Sequence, residues 1–428
     1  MSSYLAANPR RKSAHKLERL NRSDFTVDRD AGWIDVTIVF TIVAASLFNL
    51  VLVSLTPLLI LAAIVTFVVL RWDRLVSIVR DCWPLLLLPG FALLSAAWSD
   101  IPSTSLYYGV LYLATVIAGL IVGRGMKSGA VLTGYFLGFA LFTVLSVLSL
   151  RFAPWGGSGG IAFIGLTQSK NTAGYMAGVG LIATTCFFFT AVSRRHLISI
   201  CAALATIPFY LFALWFSHAT GALVATVVVL ACTLAWIGSR RLSRQARAGI
   251  FVIAVFAVLA LVATQNWWLP PLFDAVLQNS GKDAGLTGRT DLWRYADDLI
   301  SRKPAFGLGY SSFWVHNNLD AEYLWRKMGI STRMGFNFHN TPREILVHLG
   351  YIGLTLFALV GAIGSTRLLL RTNQIPSYEL IFASAIAVFY IIMMPFEIIG
   401  FLPIHFGTIT SLAILAMGYR RLSLSDTR

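Results

Sequence analysis

Two short segments concentrate the residues able to do chemistry: Gly288-Arg289-Thr290-Asp291-Leu292-Trp293 and Phe336-Asn337-Phe338-His339-Asn340-Thr341-Pro342-Arg343-Glu344. A guanidinium presents a planar fork that matches phosphate oxygens, so Arg289 reads either as a phosphate ligand or as a solvated loop arginine. Imidazole ordinarily titrates near neutral pH, so His339 reads either as a general base or as a histidine bonded within its own loop. Thr341-Pro342-Arg343-Glu344 predicts a helix start, with Thr341 as N-cap, Pro342 as the first helical residue and Glu344 reaching back in a capping box. His339 and Asn340 then stand just ahead of a fixed helix N-terminus. Free N–H groups and the helix dipole favour an anion there, and Arg343 adds a full positive charge. His348 falls one turn further along, on the face of Glu344, where a bond between helices would occupy it.

Both segments lie in a polar stretch, residues 265–343, that interrupts an otherwise apolar chain. Of 428 residues 57% are hydrophobic and 12% charged, which excludes a soluble domain of this length and predicts an all-α polytopic membrane protein. Apolar runs recur about twelve times between residues 34 and 418, the last over 399–418. The expected organisation is a basic cytoplasmic tail (1–33), nine transmembrane helices (34–264), one long external catalytic loop (265–343), three further transmembrane helices (344–418) and a short cytoplasmic tail (419–428). Within the loop, Leu292, Ala296, Leu299 and Ile300 recur at helical spacing. This predicts a short amphipathic helix ending before Pro304, with Arg289 near its N-terminal end. The turn-rich Asn279–Gly285 opens the loop.

Charge sets the orientation. With the N-terminus in the cytoplasm, the basic segments at 10–12, 71–80, 124–127, 194–195, 240–247, 367–371 and 420–421 all fall on the inner side, as the positive-inside rule requires. The long loop is then external, and both termini are cytoplasmic. A net charge of +15 in short membrane-flanking clusters fits topology and anionic lipid headgroups and argues against nucleic acid. The four cysteines, Cys82, Cys186, Cys201 and Cys232, sit in or beside the apolar runs, which excludes a disulfide framework and a cysteine-based metal site.

Other polar residues mark the same external side. Lys170 and Asn171 open a span, where Lys170 either snorkels to the interface or contacts substrate. Asp100, after Trp98-Ser99, is either a turn residue or an acid. His218 marks an external turn and reads as structural. Gly307-Leu308-Gly309-Tyr310 is a tight turn and only a weak phosphate-loop signal. Glu397 and His405, near the last external turn, are unusual in a membrane setting.

Taken in order, Trp98-Ser99-Asp100, Lys170-Asn171 with Gly174, the Gly288–Trp293 segment and His339-Asn340 followed by a span with Gly350 and Gly353 resemble the O-antigen ligase and Wzy-type polymerase superfamily, most nearly its exopolysaccharide polymerase branch. The similarity covers most of the chain. It implies an inverting, metal-independent glycosyltransferase without cofactor, acting at the periplasmic face of a bacterial inner membrane on undecaprenyl-diphosphate-linked oligosaccharide repeat units. It further implies a chain-length regulator and a flippase as partners beside membrane lipids. Carried over by motif, Arg289 would bind the donor diphosphate and His339 would take the proton from the acceptor hydroxyl. The loop holds no Asp-x-Asp motif to bridge a diphosphate through a divalent metal, so arginines would replace it. The ligase branch often carries an arginine at the turn matching Ser217–Thr220, and here there is none. That departure favours a polymerase over a ligase to lipid A core or to protein hydroxyls. It also leaves the second diphosphate ligand open among Arg343, Lys170 and another loop arginine. A transporter or flippase would suit twelve spans, but there are no matched halves and few ionisable residues deep within spans.

Overall fold

The computed structural model describes residues 32–155, 160–268, 270–271, 289–333 and 335–420. The basic tail before residue 32, the Asn279–Gly285 turn, Gly288 and the last eight residues lie outside the described residues.

The chain is an all-α, multi-pass bundle. Its longer helices among the described residues are α1 (Trp33–Leu47), α2 (Leu55–Cys82), α3 (Leu87–Leu94), α4 (Pro102–Leu120), α5 (Ser128–Leu148), α6 (Lys170–Ser193), α7 (Leu197–Phe216), α8 (Thr220–Ser239), α9 (Arg244–Ala263), α10 (Arg289–Arg302), α11 (Leu319–Lys327), α12 (Thr341–Gln374), α13 (Tyr378–Met393) and α14 (Phe406–Gly418). Eight helical segments among the described residues are long and apolar enough to cross a membrane, and α1, α13 and α14 are shorter apolar helices. One of the eight, Leu55–Ala97, contains two of the expected apolar runs, because α2 kinks at Arg71 (φ −149°, ψ 47°) and is followed by short helical turns. Arg71 forms an ion pair with the buried Asp35 at 2.6 Å, which fixes the kink against the start of α1.

The main core runs between α1, α5, α6, α13 and α14 through Val39, Phe139, Tyr175, Phe382, Phe389 and Ile409. Side chains on these helices are apolar on nearly every face, as expected where lipid covers the outside and neighbouring helices the inside. A second, smaller core lies in the loop region. There Leu292, Ala296, Leu299 and Ile300 of α10 meet Phe313, Leu324, Trp325, Phe338 and Val347. These are the four apolar residues whose spacing predicts the amphipathic helix, and they bury against the loop's own core and the first turns of α12.

Two local departures from the expected pattern shape the site. Between α5 and α6 the chain forms an antiparallel hairpin, β1 (Phe152–Trp155) with β2 (Gly160–Phe163), in register Phe152 to Phe163. And the expected run over 399–418 is helical only from Phe406, because Pro395, Gly400 (φ +76°) and Pro403 keep the preceding segment irregular.

Helix α12 is broken at Gly350 (φ +63°), and the loop fills the break. The amides of Tyr351 and Ile352 donate to the carbonyls of Pro304 and Ala305 at 2.8 and 3.2 Å. In return, the carbonyls of Val347 and His348 accept from Leu308 and Gly309, both at 2.9 Å. The exchange satisfies backbone groups that a broken helix would otherwise leave orphaned. It also explains the Gly307–Tyr310 turn, which is a docking strap across α12 and not a phosphate loop. A Cβ on Gly307 would lie 2.5 Å from the His348 carbonyl carbon.

Candidate functional site

His339 is held by its backbone before its side chain is considered. The Phe338 peptide is pinned on both sides, its N–H donating to Glu344 Oε2 at 2.9 Å and its carbonyl accepting from the Trp293 indole at 2.8 Å. Asn337 Oδ1 accepts the His339 N–H at 2.8 Å, and Phe338 is fully buried. Under these constraints His339 adopts φ +49°, a left-handed conformation that costs a non-glycine residue about 1–3 kcal/mol and tends to mark functional positions. The Trp293 bond links the two chemistry-bearing segments directly.

The helix start differs by one residue from the expected one. Asn340 is the N-cap of α12, its Oδ1 accepting the Arg343 N–H at 2.9 Å while its Nδ2 donates to the Pro395 carbonyl at 3.1 Å. Thr341 is the first helical residue, and its hydroxyl donates to the Glu397 carbonyl at 2.6 Å and accepts from the Ile399 N–H at 2.9 Å. A more distant pairing has replaced the local capping box. Glu344 is buried and, besides Phe338, receives the Trp314 indole at 3.1 Å and faces His348 Nε2 at 3.2 Å. His348 Nδ1 stands 3.2 Å from the Gly309 carbonyl, so its role is to tie α12 to the strap.

Thr341 and Asn340 thereby seat the 395–399 segment beside His339, and Glu397 completes the group. Its carboxylate stands 3.8 Å from His339 Nδ1 and 3.6 Å from Arg289 Nη2, and Arg289 Nη1 donates to the Phe396 carbonyl at 3.1 Å. Burial opposes the charge on Glu397, but the His339 ring, then the Arg289 guanidinium and His405, more than offset it. Its carboxyl is held below the ordinary carboxylate range. With Nδ1 facing the carboxylate, Nε2 is the ring nitrogen left to face a substrate.

A cavity of about 330 Å³ opens in front of this group, lined by Gln168, Ser169, Lys170, Asn171, Arg289, Phe336 and His339, with the hairpin's Ala153, Pro154 and Ala162 forming a wall. Lys170 and Asn171 of α6 and Arg289 and Leu292 of α10 line it. Ser169 caps α6, its hydroxyl accepting the Thr172 N–H at 3.2 Å. The N-terminus of α6, a lysine and an arginine make an electropositive recess suited to an anion, and a histidine–carboxylate pair stands at its edge.

The structure thus brings together Arg289, His339, Lys170 and Asn171. It gives the other three expected substrate contacts different work, and none of them lines the cavity. Arg343 is engaged by Asp297 at 2.9 and 3.1 Å and lies over the Trp293 ring, so its fork is already matched to a carboxylate. Asn340 is consumed as the cap. Asp100 pairs with Lys303 at 2.9 Å. Glu397 is the site residue that sequence reasoning left unplaced. Its signal was an acid in an apolar C-terminal stretch, with nothing in the pattern to say where it folds back.

Residues 205–358, which contain Arg289 and His339, match the family described as O-antigen ligase. The chain is also 29% identical over 324 residues to the exopolysaccharide production protein ExoQ of Rhizobium meliloti (strain 1021), covering 74% of this chain and 72% of that one. The chain is a multi-pass membrane protein, similar over these residues to the O-antigen ligase family and over most of its length to ExoQ.

Proposed function

We propose that this protein is an exopolysaccharide polymerase of the bacterial inner membrane, transferring a growing glycan from undecaprenyl diphosphate to the next lipid-linked repeat unit at the periplasmic face. The observation that carries the reading is the convergence of Arg289 and His339, both beside Glu397, at one cavity with Lys170 and the helix start that Lys170 opens. In this reading Arg289 and Lys170 hold the donor diphosphate and stabilise the charge that grows as the bond between anomeric carbon and phosphate oxygen breaks. His339 Nε2 accepts the proton of the acceptor hydroxyl as its oxygen bonds to that carbon from the opposite face, so the anomeric configuration inverts. Glu397 orients the ring through Nδ1 and compensates the imidazolium until the proton leaves to solvent. No metal takes part in these steps.

Purified protein in nanodiscs, given a defined lipid-diphosphate oligosaccharide, should yield a ladder of products whose formation continues in EDTA. A single addition to a supplied non-lipid acceptor, with no ladder, would make the protein a ligase. Exchange of substrate across a bilayer without bond formation would make it a transporter. Loss of turnover in EDTA with recovery on Mg²⁺ would overturn the leaving-group role of Arg289 and Lys170.

A further inference from the structure

At the other end of the bundle from His339 lies a second polar cavity, of about 200 Å³, lined by Arg74, Ser77, Arg124, Gly125, Lys127 and Arg420. Its position follows from the helices that reach it. Helix α4 begins beside Asp100 and leads into the π-turn at Ile121–Gly125, and α14 begins after His405 and ends at Gly418, two residues before Arg420. Three separate elements, the second half of α2, the π-turn and the C-terminal end of α14, therefore aim cations at one recess.

Two of these cations, Arg420 and Arg74, donate to neutral groups. Arg420 donates to the Gly123 carbonyl at 3.0 Å, to Ser128 Oγ at 2.7 Å and to the Met126 carbonyl, and its own carbonyl accepts from Arg371. Arg74 donates to the Gly125 carbonyl at 3.5 Å. Carbonyls and a hydroxyl satisfy hydrogen-bond geometry but cancel no charge, so the positive charge of both guanidinium groups persists in the recess. Arg124 is paired with Asp81 at 2.9 Å, and Asp35 is committed to Arg71 at 2.6 Å and to the Lys127 N–H at 3.0 Å. Burial, and then the crowding of Arg371 and Arg124, push the Arg420 guanidinium down to about 10 against the opposing pull of Glu379 and Asp35.

We propose that this recess is a binding site for a phosphate-bearing anion, distinct from the His339 cavity and reached from the opposite membrane surface. A phosphate would place several acceptor oxygens among Arg74, Arg124, Lys127 and Arg420, supplying the negative charge that the carbonyls lack. By bridging α2, the π-turn after α4 and the end of α14, it would lock the base of the bundle. The same chemistry is presented by an anionic phospholipid headgroup and by free phosphate.

The test separates these sources. Wild-type protein, Arg74→Glu and the charge-matched control Arg241→Glu are solubilised from vesicles of phosphatidylethanolamine and phosphatidylglycerol, and retained lipid is read by native mass spectrometry. In parallel, thermal unfolding in phosphatidylcholine nanodiscs is followed with and without inorganic phosphate at constant ionic strength. Arg74 makes one long bond, so its replacement should leave folding intact. Arg420→Gln provides a second variant, with monodisperse elution as the folding check. Selective retention of phosphatidylglycerol by wild type and Arg241→Glu, reduced roughly fivefold for each cation removed from the recess, supports the site with a lipid as its source. A phosphate-dependent rise in melting temperature seen in wild type and control but not in Arg74→Glu supports it with a soluble source. Absence of both effects, or equal effects in Arg74→Glu and wild type, overturns it.

Discussion

At the scale of single residues, the roles proposed for His339 as base and Arg289 as diphosphate ligand can be separated by kinetics. A general base contributes about 10²- to 10⁴-fold to rate. His339→Ala is expected to lower kcat by that order while donor binding stays nearly unchanged, measured by single-turnover rates and lipid-donor titration. Arg289→Lys keeps the charge but loses the fork that also reaches the Phe396 carbonyl, so both donor affinity and turnover should fall. Near-normal turnover of His339→Ala would reduce His339 to a loop residue in an unusual conformation, and wild-type behaviour of Arg289→Lys would leave Arg289 an ordinary charge. Glu397 touches both, which makes Glu397→Gln informative. The variant should lose kcat without a rise in donor KM, since releasing Arg289 from a carboxylate leaves its guanidinium more available to phosphate. A raised KM at unchanged kcat would contradict the positioning role.

At the scale of elements, the site depends on a broken helix and the strap that fills the break. Gly307 (φ +68°) has the His348, Leu349 and Gly350 backbone within 2.7 Å of where a Cβ would be, whereas Gly329 (φ +67°) has open space. Gly307→Ala should destabilise by about 2–5 kcal/mol, combining backbone strain with overpacking, while Gly329→Ala carries the strain alone. Comparable melting temperatures for the two variants in detergent would show that the strap yields. The start of α14 adds a pH dependence. His405 is its N-cap and accepts the Gly407 N–H at 3.1 Å through Nδ1, and burial holds the ring down to about 4 against the pull of Glu397. Protonation is then easier in the unfolded chain. The stabilisation is complete above the ordinary histidine value near 6.5 and is lost as pH falls toward about 4. Melting temperature should decline across that window in wild type and decline less in His405→Asn, which caps without titrating. Parallel curves would assign the acid sensitivity elsewhere.

At the scale of the whole molecule, every role assigned to the His339 cavity requires the loop to face outward. Ser331 is exposed in that loop. A Ser331→Cys substitution, in a background lacking Cys82, Cys186, Cys201 and Cys232, should react with a membrane-impermeant thiol reagent in intact spheroplasts. Labelling only after lysis would invert the topology, and with it the periplasmic placement of sugar transfer. The same bundle separates two electropositive recesses, one at each end, so a perturbation at Arg74 and one at Arg289 should be independent unless the shared helices α4 and α14 couple them.

Local pattern was enough for much of this protein. Apolar runs long enough to span a bilayer define an all-α membrane bundle because backbone groups in lipid must bond within their own segment. The spacing of Leu292, Ala296, Leu299 and Ile300 defines α10, since helical periodicity is a property of neighbours along the chain. The types of Arg289 and His339 limit their chemistry wherever they fold. Tertiary structure decided what depended on residues far apart in sequence. It moved the cap from Thr341 to Asn340, because Thr341 is drawn to the 395–399 segment. It gave Arg343 to Asp297 and Asp100 to Lys303, since an ion pair forms with whichever opposite charge packing brings near. It interrupted the last expected run with the irregular turn that carries Glu397 to His339 and Arg289. That contact spans nearly sixty residues of chain from His339, and no spacing rule reaches so far: hydrophobic periodicity says which face is buried, and only the packed bundle says against what.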